Sequence, residues 1–356
     1  MNDRLKEKLS RIEPYVPGEQ PKGANIIKLN TNENPYPPSQ RVLNALKEID
    51  GKSLNLYPDF VRSELKQELG KLTGANENEI FLGNGSDEVL ALCFKAFFNS
   101  ETPVLFPEIS YSFYSVWTEF FDIPYKCVPL KEDFHIDIEG FLCENGGIVI
   151  PNPNAPTAIA EGKDNLIKII ENNPDSVVII DEAYVDFSDK GSVADLIHKY
   201  DNLVVVQTYS KSRALAGIRF GFAYANSELI KVLEGVKNSF NSYTVNTVTR
   251  VLAYECLKDR DYFNETVEKI KKTRDKLIKG LDKLGFETLD SSANFVFTTK
   301  KDADCEALFE YLKANNIYVR HFNNPKIKNY LRITVGTDAA TEALLEKIKV
   351  YFEEKA

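Results

Sequence analysis

Between residues 80 and 225 the chain alternates two hydrophobic periods. Short runs are apolar almost throughout: "EIFL", "TPVLF", "PYKCVPL", "GGIVIPN", "SVVIIDEAY", "NLVVVQTYS" and "RFGFAYA". Between several of them lie stretches such as "SDEVLALCFKAFF" and "DNLIKIIENN", where apolar residues recur at helical spacing. A run without polar alternation suits a strand covered on both faces. Strands alternating with amphipathic helices imply βαβ units and a mostly parallel sheet. Past residue 226 the character changes. A long charged helix, "DYFNETVEKIKKTRDKLIKGLDKLG", precedes strand-like "ANFVFTT", helical "DCEALFEYLKANN", strand-like "IYVRHF" and "YLRITVG", and a last helix, "ATEALLEKIKVYFEE". Few strands with helices between them read as a smaller α+β layer. The first 40 residues, with "EPYVPGEQPKG" and "LNTNENPYPPS", are too rich in Pro and Asn for a core element. Helical periodicity begins at Ser39, a suitable N-cap. The expected fold is α/β: a mostly parallel central sheet with helices on both faces, plus a smaller α+β domain. The N-terminal segment could pack on either.

Composition changes this picture little. The 356 residues are 43% hydrophobic and 27% charged, as in an ordinary globular chain long enough for a large and a smaller domain. The net charge of −9 argues against sequence-independent nucleic-acid binding, which needs basic patches, but not against a local pocket for a small anion. The cysteines, Cys93, Cys127, Cys143, Cys256 and Cys305, form no CxxC pair and lie in or beside apolar segments. They are expected to be reduced and mostly buried, in a cytoplasmic protein. The charged N-terminus lacks the apolar core of a signal peptide, and no stretch approaches the roughly 18 apolar residues of a membrane span. His135, His198 and His321 show no metal-ligand spacing, so no metal is expected.

In open α/β sheets ligands bind beyond the carboxyl ends of the strands, so the residues after each apolar run matter most. After "EIFL" comes Gly83-Asn84-Gly85-Ser86-Asp87-Glu88, opening a helix. Glycines admit a close ligand and a helix start favours an anion, although simple capping explains this loop equally well. After "GIVI" comes Pro151-Asn152-Pro153-Asn154-Ala155-Pro156-Thr157, a stiff loop carrying two amides. After "SVVII" comes Asp181-Glu182-Ala183-Tyr184, a carboxylate at a strand end. After "NLVVV" comes Gln207-Thr208-Tyr209-Ser210-Lys211-Ser212. Most lysines are solvated surface charges. One ending a buried strand is disfavoured as an ammonium and becomes a nucleophilic amine able to capture an aldehyde. A reactive lysine, a carboxylate, an anion-binding helix start and a fixed amide are together the parts of a pyridoxal phosphate site.

These motifs, with "EPYVPG", "LNTNENPY", "YPD", "DEAYVDF", "SKSRALAGIRFG" and "LRITVGT", resemble the fold-type I pyridoxal-phosphate aminotransferases of class I/II, in their histidinol-phosphate-like branch. The resemblance implies that Lys211 forms the internal aldimine and shuttles the proton, that Asp181 pairs with the pyridine nitrogen, and that Tyr184 bonds the ring oxygen. It implies Ser210 and Arg219 on the cofactor phosphate, with Gly85, Ser86 and Asp87 at the helix start and Thr208 assisting. Tyr111 would stack on the ring. Tyr57 would reach the phosphate across a homodimer interface, so that active sites are shared. Arg332 would bind a substrate carboxylate and Arg320 a substrate phosphate, with Tyr15, Asn34 and Asn294 lining the pocket. The chain would divide into residues 1–38, packing on the small domain and the dimer partner, a cofactor-binding domain 39–245, and a small domain 246–356. In the proline loop the usual Asn-Pro-Thr-Gly is replaced, with Ala155 before Pro156 and Ala158 after Thr157. Of the two remaining amides, Asn154 is favoured over Asn152 as the contact to the ring. The segment "HFNNPKIKN" between Arg320 and Arg332 lacks the expected glycine.

The activity so implied is transamination between histidinol phosphate and glutamate, in ping-pong half-reactions on pyridoxal 5′-phosphate. The same lysine and ring would also serve an aromatic amino acid aminotransferase or a threonine-phosphate decarboxylase. A regulatory binding protein on this fold would need an added DNA-binding module, for which the first 40 residues leave no space. A generic nucleotide-binding enzyme is weakened by the absence of GxGxxG and GxxxxGK[ST].

Overall fold

In this computed structural model, which describes residues 2–9, 18–23, 25–58 and 64–354, the apolar runs become neighbouring strands. After β1 (Ile27–Lys28) come β2 (Ile80–Gly83), β3 (Val104–Pro107), β4 (Tyr125–Val128), β5 (Ile148–Pro151), β6 (Val178–Asp181), β7 (Leu203–Thr208) and β8 (Gly221–Ala225). Strands β2 to β8 form a seven-stranded sheet in the order β2-β8-β7-β6-β5-β3-β4. Strand β8 is antiparallel to both neighbours, and the other pairings are parallel.

The period of two along each strand divides the sheet between two cores. Ile80, Ile148, Ile150, Val178, Ile180, Leu203 and Val205 face one, where Leu166, Ile169 and Ile170 of the helix Lys163–Glu171 pack. Phe81, Val149, Ile179, Val204, Val206 and Ala223 face the other, with Val89, Leu90, Cys93 and Phe94 of the helix Ser86–Phe97. Only β4, at the sheet edge, exposes Tyr125, Lys126 and Cys127 among these strands.

A third core belongs to the C-terminal part. Strands β9 (Glu287–Thr288), β10 (Phe295–Thr299), β12 (Arg320–His321) and β13 (Leu331–Thr334) form an antiparallel sheet in the order β12-β13-β10-β9. Strand β11 (Ile317–Tyr318) instead pairs in parallel with β1. "IYVRHF", read as one strand, is therefore split between two sheets at the buried Val319. The helix Arg260–Lys283 contributes Ile270, Leu277 and Leu281 to this core, and Ile27, Leu29 and Tyr36 of the N-terminal segment join it.

One expectation changes. The helix Thr247–Lys258, assigned to the small domain by sequence, packs on the large core, because its Leu252, Ala253, Cys256 and Leu257 face that way. The cysteines are mostly buried, as expected: Cys93, Cys256 and Cys305 are buried, Cys127 and Cys143 exposed, and all five are free thiols. Among the described residues no helix is long and apolar enough to cross a membrane.

The antiparallel β8 brings three strand ends together. Gly221, its first residue, lies opposite both Thr208 and Gly83. A Cβ on Gly221 would come within 2.3 Å of the Ser86 backbone nitrogen. Backbone must meet backbone here, so only glycine fits. Gly221→Ala is expected to cost about 1–3 kcal/mol in chemical denaturation through overpacking. Unchanged stability would show that the Ser86 turn moves freely.

Candidate active site

The carboxyl ends of the parallel strands, with their following loops, enclose a cavity of about 190 Å³. Asp181 enters it from the end of β6. Its carboxyl is 5% exposed and accepts hydrogen bonds from the Tyr114 hydroxyl at 2.7 Å and the Ala183 N–H at 3.1 Å. Burial pushes it up to about 6, against the pull of these two donors. A buried carboxylate so poised suits a cationic N–H opposite it.

Lys211 lies three residues beyond the end of β7. The buried amine expected from the sequence is only half-buried, because the turn carries it off the strand and into the cavity. Its Nζ donates to the Thr31 carbonyl at 3.3 Å and lies 5.6 Å from the centre of the Tyr184 ring. The turn is pinned from inside: the Ser210 N–H donates to Thr208 Oγ1 at 3.2 Å, and Thr208 Oγ1 donates to the Phe220 carbonyl at 3.1 Å.

One end of the cavity is built for an anion. Ser86 and Asp87 begin the helix Ser86–Phe97 after Gly85, whose φ is +85°. Arg219, itself left-handed at φ +53°, turns its guanidinium back over this turn. It pairs with Asp87 at 3.0 Å, and Asp87 also accepts from the Tyr111 hydroxyl at 2.8 Å. Ser86, Asp87, Thr208, Ser210 and Arg219 thus converge at a helix start, whose backbone N–H groups favour an anion. Pro151, Pro153, Ala155, Ala183, Tyr184 and Tyr111 wall the rest.

Several residues named from the sequence stand elsewhere. Asn154 is absent from the cavity wall: its Nδ2 donates to the Ile109 carbonyl and to Thr157 Oγ1, and its buried Oδ1 meets no partner. Asn152 is committed to Glu161 through both ends of its amide. The methyl of Ala155 faces the cavity instead. Asn34 lies behind the lysine, donating to the Lys211 and Ser212 carbonyls at 3.1 and 3.0 Å. Asn294 is wholly buried and donates to the Asn32 carbonyl. Tyr57 is 77% exposed, away from the cavity, stacked on Tyr243 with ring centres 4.3 Å apart. Arg320 and Arg332 lie directly opposite each other on β12 and β13, and Arg332 donates to the Asn30 carbonyl at 2.8 Å. Tyr15 lies outside the described residues.

The sequence reading missed Tyr114, Thr31 and Glu33. Tyr114 follows Tyr111 by one helical turn in "SYSFY", a spacing that places both rings on one face. Glu33 lines the cavity beside Lys211; burial raises its carboxyl, but the Lys28 ammonium and Thr31 hydroxyl outweigh that and hold it below the usual range. Among the described residues no cluster of His, Cys, Asp and Glu is arranged to hold a metal.

Comparison with known proteins places this geometry in a family. The family model "Aminotransferase class I and II" matches residues 24–348. A histidinol-phosphate aminotransferase of Brachyspira hyodysenteriae is 51% identical over 349 residues, covering 98% of this chain and 99% of that protein. The crystal structure of the histidinol-phosphate aminotransferase from Clostridium acetobutylicum superposes with a TM-score of 0.85 at 26% identity, covering 92% of this chain and 100% of that one. The Sinorhizobium meliloti histidinol-phosphate aminotransferase, solved in complex with pyridoxal-5′-phosphate, gives a TM-score of 0.82 at 22% identity and 91% coverage of both chains.

Glu182, beside Asp181, points away from the cavity and accepts from the Ser192 hydroxyl, the Val193 N–H and the Gln207 amide. Burial pushes its carboxyl up to about 7 despite these donors. Both acids therefore bind protons more tightly folded than unfolded, where their pKa values are near 3.8 and 4.5. Stability of the cofactor-free protein should fall as pH rises from about 4 to 7, by on the order of 3 kcal/mol for each acid. Urea unfolding across this range checks it: Asp181→Asn should flatten the profile up to about pH 6 and Glu182→Gln up to about pH 7. Profiles identical to that of the unsubstituted protein would refute the assignment.

Proposed function

Because the chain belongs to the class I and II aminotransferase family, we propose that it transfers an amino group between histidinol phosphate and 2-oxoglutarate, with pyridoxal 5′-phosphate as cofactor. The observation that carries the reading is one cavity holding Lys211, Asp181, Tyr184 and the Ser86–Arg219 anion cradle together. About half identity along nearly the whole chain to histidinol-phosphate aminotransferases supports the substrate and a place in histidine biosynthesis.

The residues present fit the cofactor. A buried carboxylate near pKa 6 matches a pyridinium, and the helix start with Arg219, Ser210 and Thr208 matches a phosphate dianion. When bound, the cofactor supplies an electron sink for the bond broken at the substrate Cα. Asp181, whose carboxylate Tyr114 holds in place, would keep a proton on the ring nitrogen. Lys211 would hold the cofactor through its aldehyde carbon and, as a free amine, would carry the proton at the substrate Cα in both half-reactions. Tyr184 would hold the ring oxygen and Tyr111 would cover the ring. Arg320 and Arg332 receive the substrate's anionic groups, and their register places two forks on adjacent strands.

A homodimer with shared sites is part of this proposal. Leu54, Leu56, Tyr57 and Phe240 are 57%, 68%, 77% and 84% exposed, an apolar set that a second copy would cover. Five unpaired cysteines fit a cytoplasmic enzyme.

The test is a half-reaction. Histidinol phosphate added to the loaded protein should bleach the visible cofactor band, and 2-oxoglutarate should restore it. Bleaching by tyrosine or phenylalanine alone would move the substrate assignment to aromatic amino acids, and release of carbon dioxide would move it to decarboxylation. Arg320→Gln should lower kcat/KM for histidinol phosphate by about 10- to 100-fold, the loss of a charge-assisted contact, with a smaller effect on glutamate.

A further inference from the structure

Tyr184 stands against an apolar wall. It packs with Ala155, Ala158, Ala293 and Phe295, so its hydroxyl is the one polar side-chain atom of that group. The proline loop offers no amide here, since Ala155 faces the cavity and Asn152 and Asn154 are turned to other partners. What this hydroxyl does therefore depends on where its single hydrogen points.

The neighbouring network settles that. The Asn32 backbone N–H donates to Thr334 Oγ1 at 3.0 Å. Thr334 Oγ1 donates its single hydrogen to Asn32 Oδ1 at 3.0 Å. Asn32 Oδ1 is thereby fixed as an acceptor, and its Nδ2 is fixed as the donor that reaches the Tyr184 oxygen at 3.0 Å. The tyrosine's hydrogen is not used on Asn32. Asn32 itself cannot drift: it is 1% exposed, left-handed at φ +57°, and its carbonyl accepts from Asn294 Nδ2 at 3.0 Å.

We propose that Asn32 is a positioning residue that holds the Tyr184 hydroxyl as a hydrogen-bond donor into the cavity, in a site whose proline loop supplies no second donor. The inference rests on the proposed function, in which Tyr184 meets the phenolic oxygen of the cofactor. A donor held there stabilises the oxygen's anion and lowers the pH at which the cofactor's visible band titrates. The hydrogens run in one direction, from β13 through Asn32 to the cavity. The C-terminal sheet thus sets the electronics of a group bound on the large one.

The test is a spectrophotometric pH titration of the protein loaded with pyridoxal phosphate, without substrate. Asn32→Asp keeps the volume but presents a carboxylate that takes the Tyr184 hydrogen for itself. Its titration midpoint should rise by about one pH unit. Asn32→Gly keeps the left-handed backbone and removes only the amide, so it should fold and raise the midpoint by less. Tyr184→Phe should raise it as Asn32→Asp does, and adding either Asn32 change to Tyr184→Phe should do little more. A shift from Asn32→Asp that persists in full on the Tyr184→Phe background is a plain charge effect and overturns the inference. So does an unchanged midpoint in both Asn32 variants. If the unsubstituted protein forms no visible band and borohydride fixes no label on Lys211, the proposed function fails and this inference with it.

Discussion

The burial of one carboxylate organises this protein. Asp181 closes the central strand β6, with the seven-stranded sheet on either side of it, and among the described residues receives the Tyr114 hydroxyl and one backbone N–H. Two donors do not offset the loss of water, which is why its carboxyl rises to about 6. The folded chain carries an unfavourable group at the point where its cores meet. Such a cost is offset when a cation is bound opposite the acid. Tyr114 serves both sides of this bargain: its ring belongs to the second core and its hydroxyl to the site.

The second constraint is the strap from Asn30 to Asn34, which ties the two parts of the chain to one lysine. Asn30 offers its carbonyl to Arg332, Asn32 joins Thr334 and Asn294 to Tyr184, and Asn34 clasps the Lys211 and Ser212 carbonyls. Thr31 receives the lysine amine itself. A segment with hardly any secondary structure is therefore among the most hydrogen-bonded stretches near the site. The Asn30 and Asn34 amides bond backbone, and the Asn32 amide donates to Tyr184 and accepts from Thr334.

The parts of the site that follow strand ends were legible in the sequence, because the carboxyl edge of a parallel sheet is a fixed place. Asp181, Lys211 and Ser86 stand at such ends, whereas Arg219 was named only through the family resemblance; the apolar runs became the large sheet. What could not be read were contacts made across the fold. Nothing local marks Asn32 as the partner of Tyr184 or Tyr114 as the partner of Asp181, each pairing spanning many residues. Asn34 and Asn294 were expected to line the substrate pocket and Asn154 to contact the ring, but their amides donate to backbone carbonyls, a choice made by neighbours distant in sequence. The helix Thr247–Lys258 was misplaced for a related reason: its amphipathic pattern says that it packs, not on which core.

Charge shows the same limit of reading by totals. The chain is acidic, at −9, yet Arg320 and Arg332 are held in direct register on adjacent strands. Like charges placed opposite one another in a sheet repel. Here both guanidiniums lie over the Phe322 ring, at 5.5 and 5.6 Å, and Arg332 also lies 5.4 Å from that of Phe295. Ring faces and the Asn30 carbonyl offset part of the repulsion. The overall charge, spread over the surface and screened within about 10 Å, has little influence on two cations held this close.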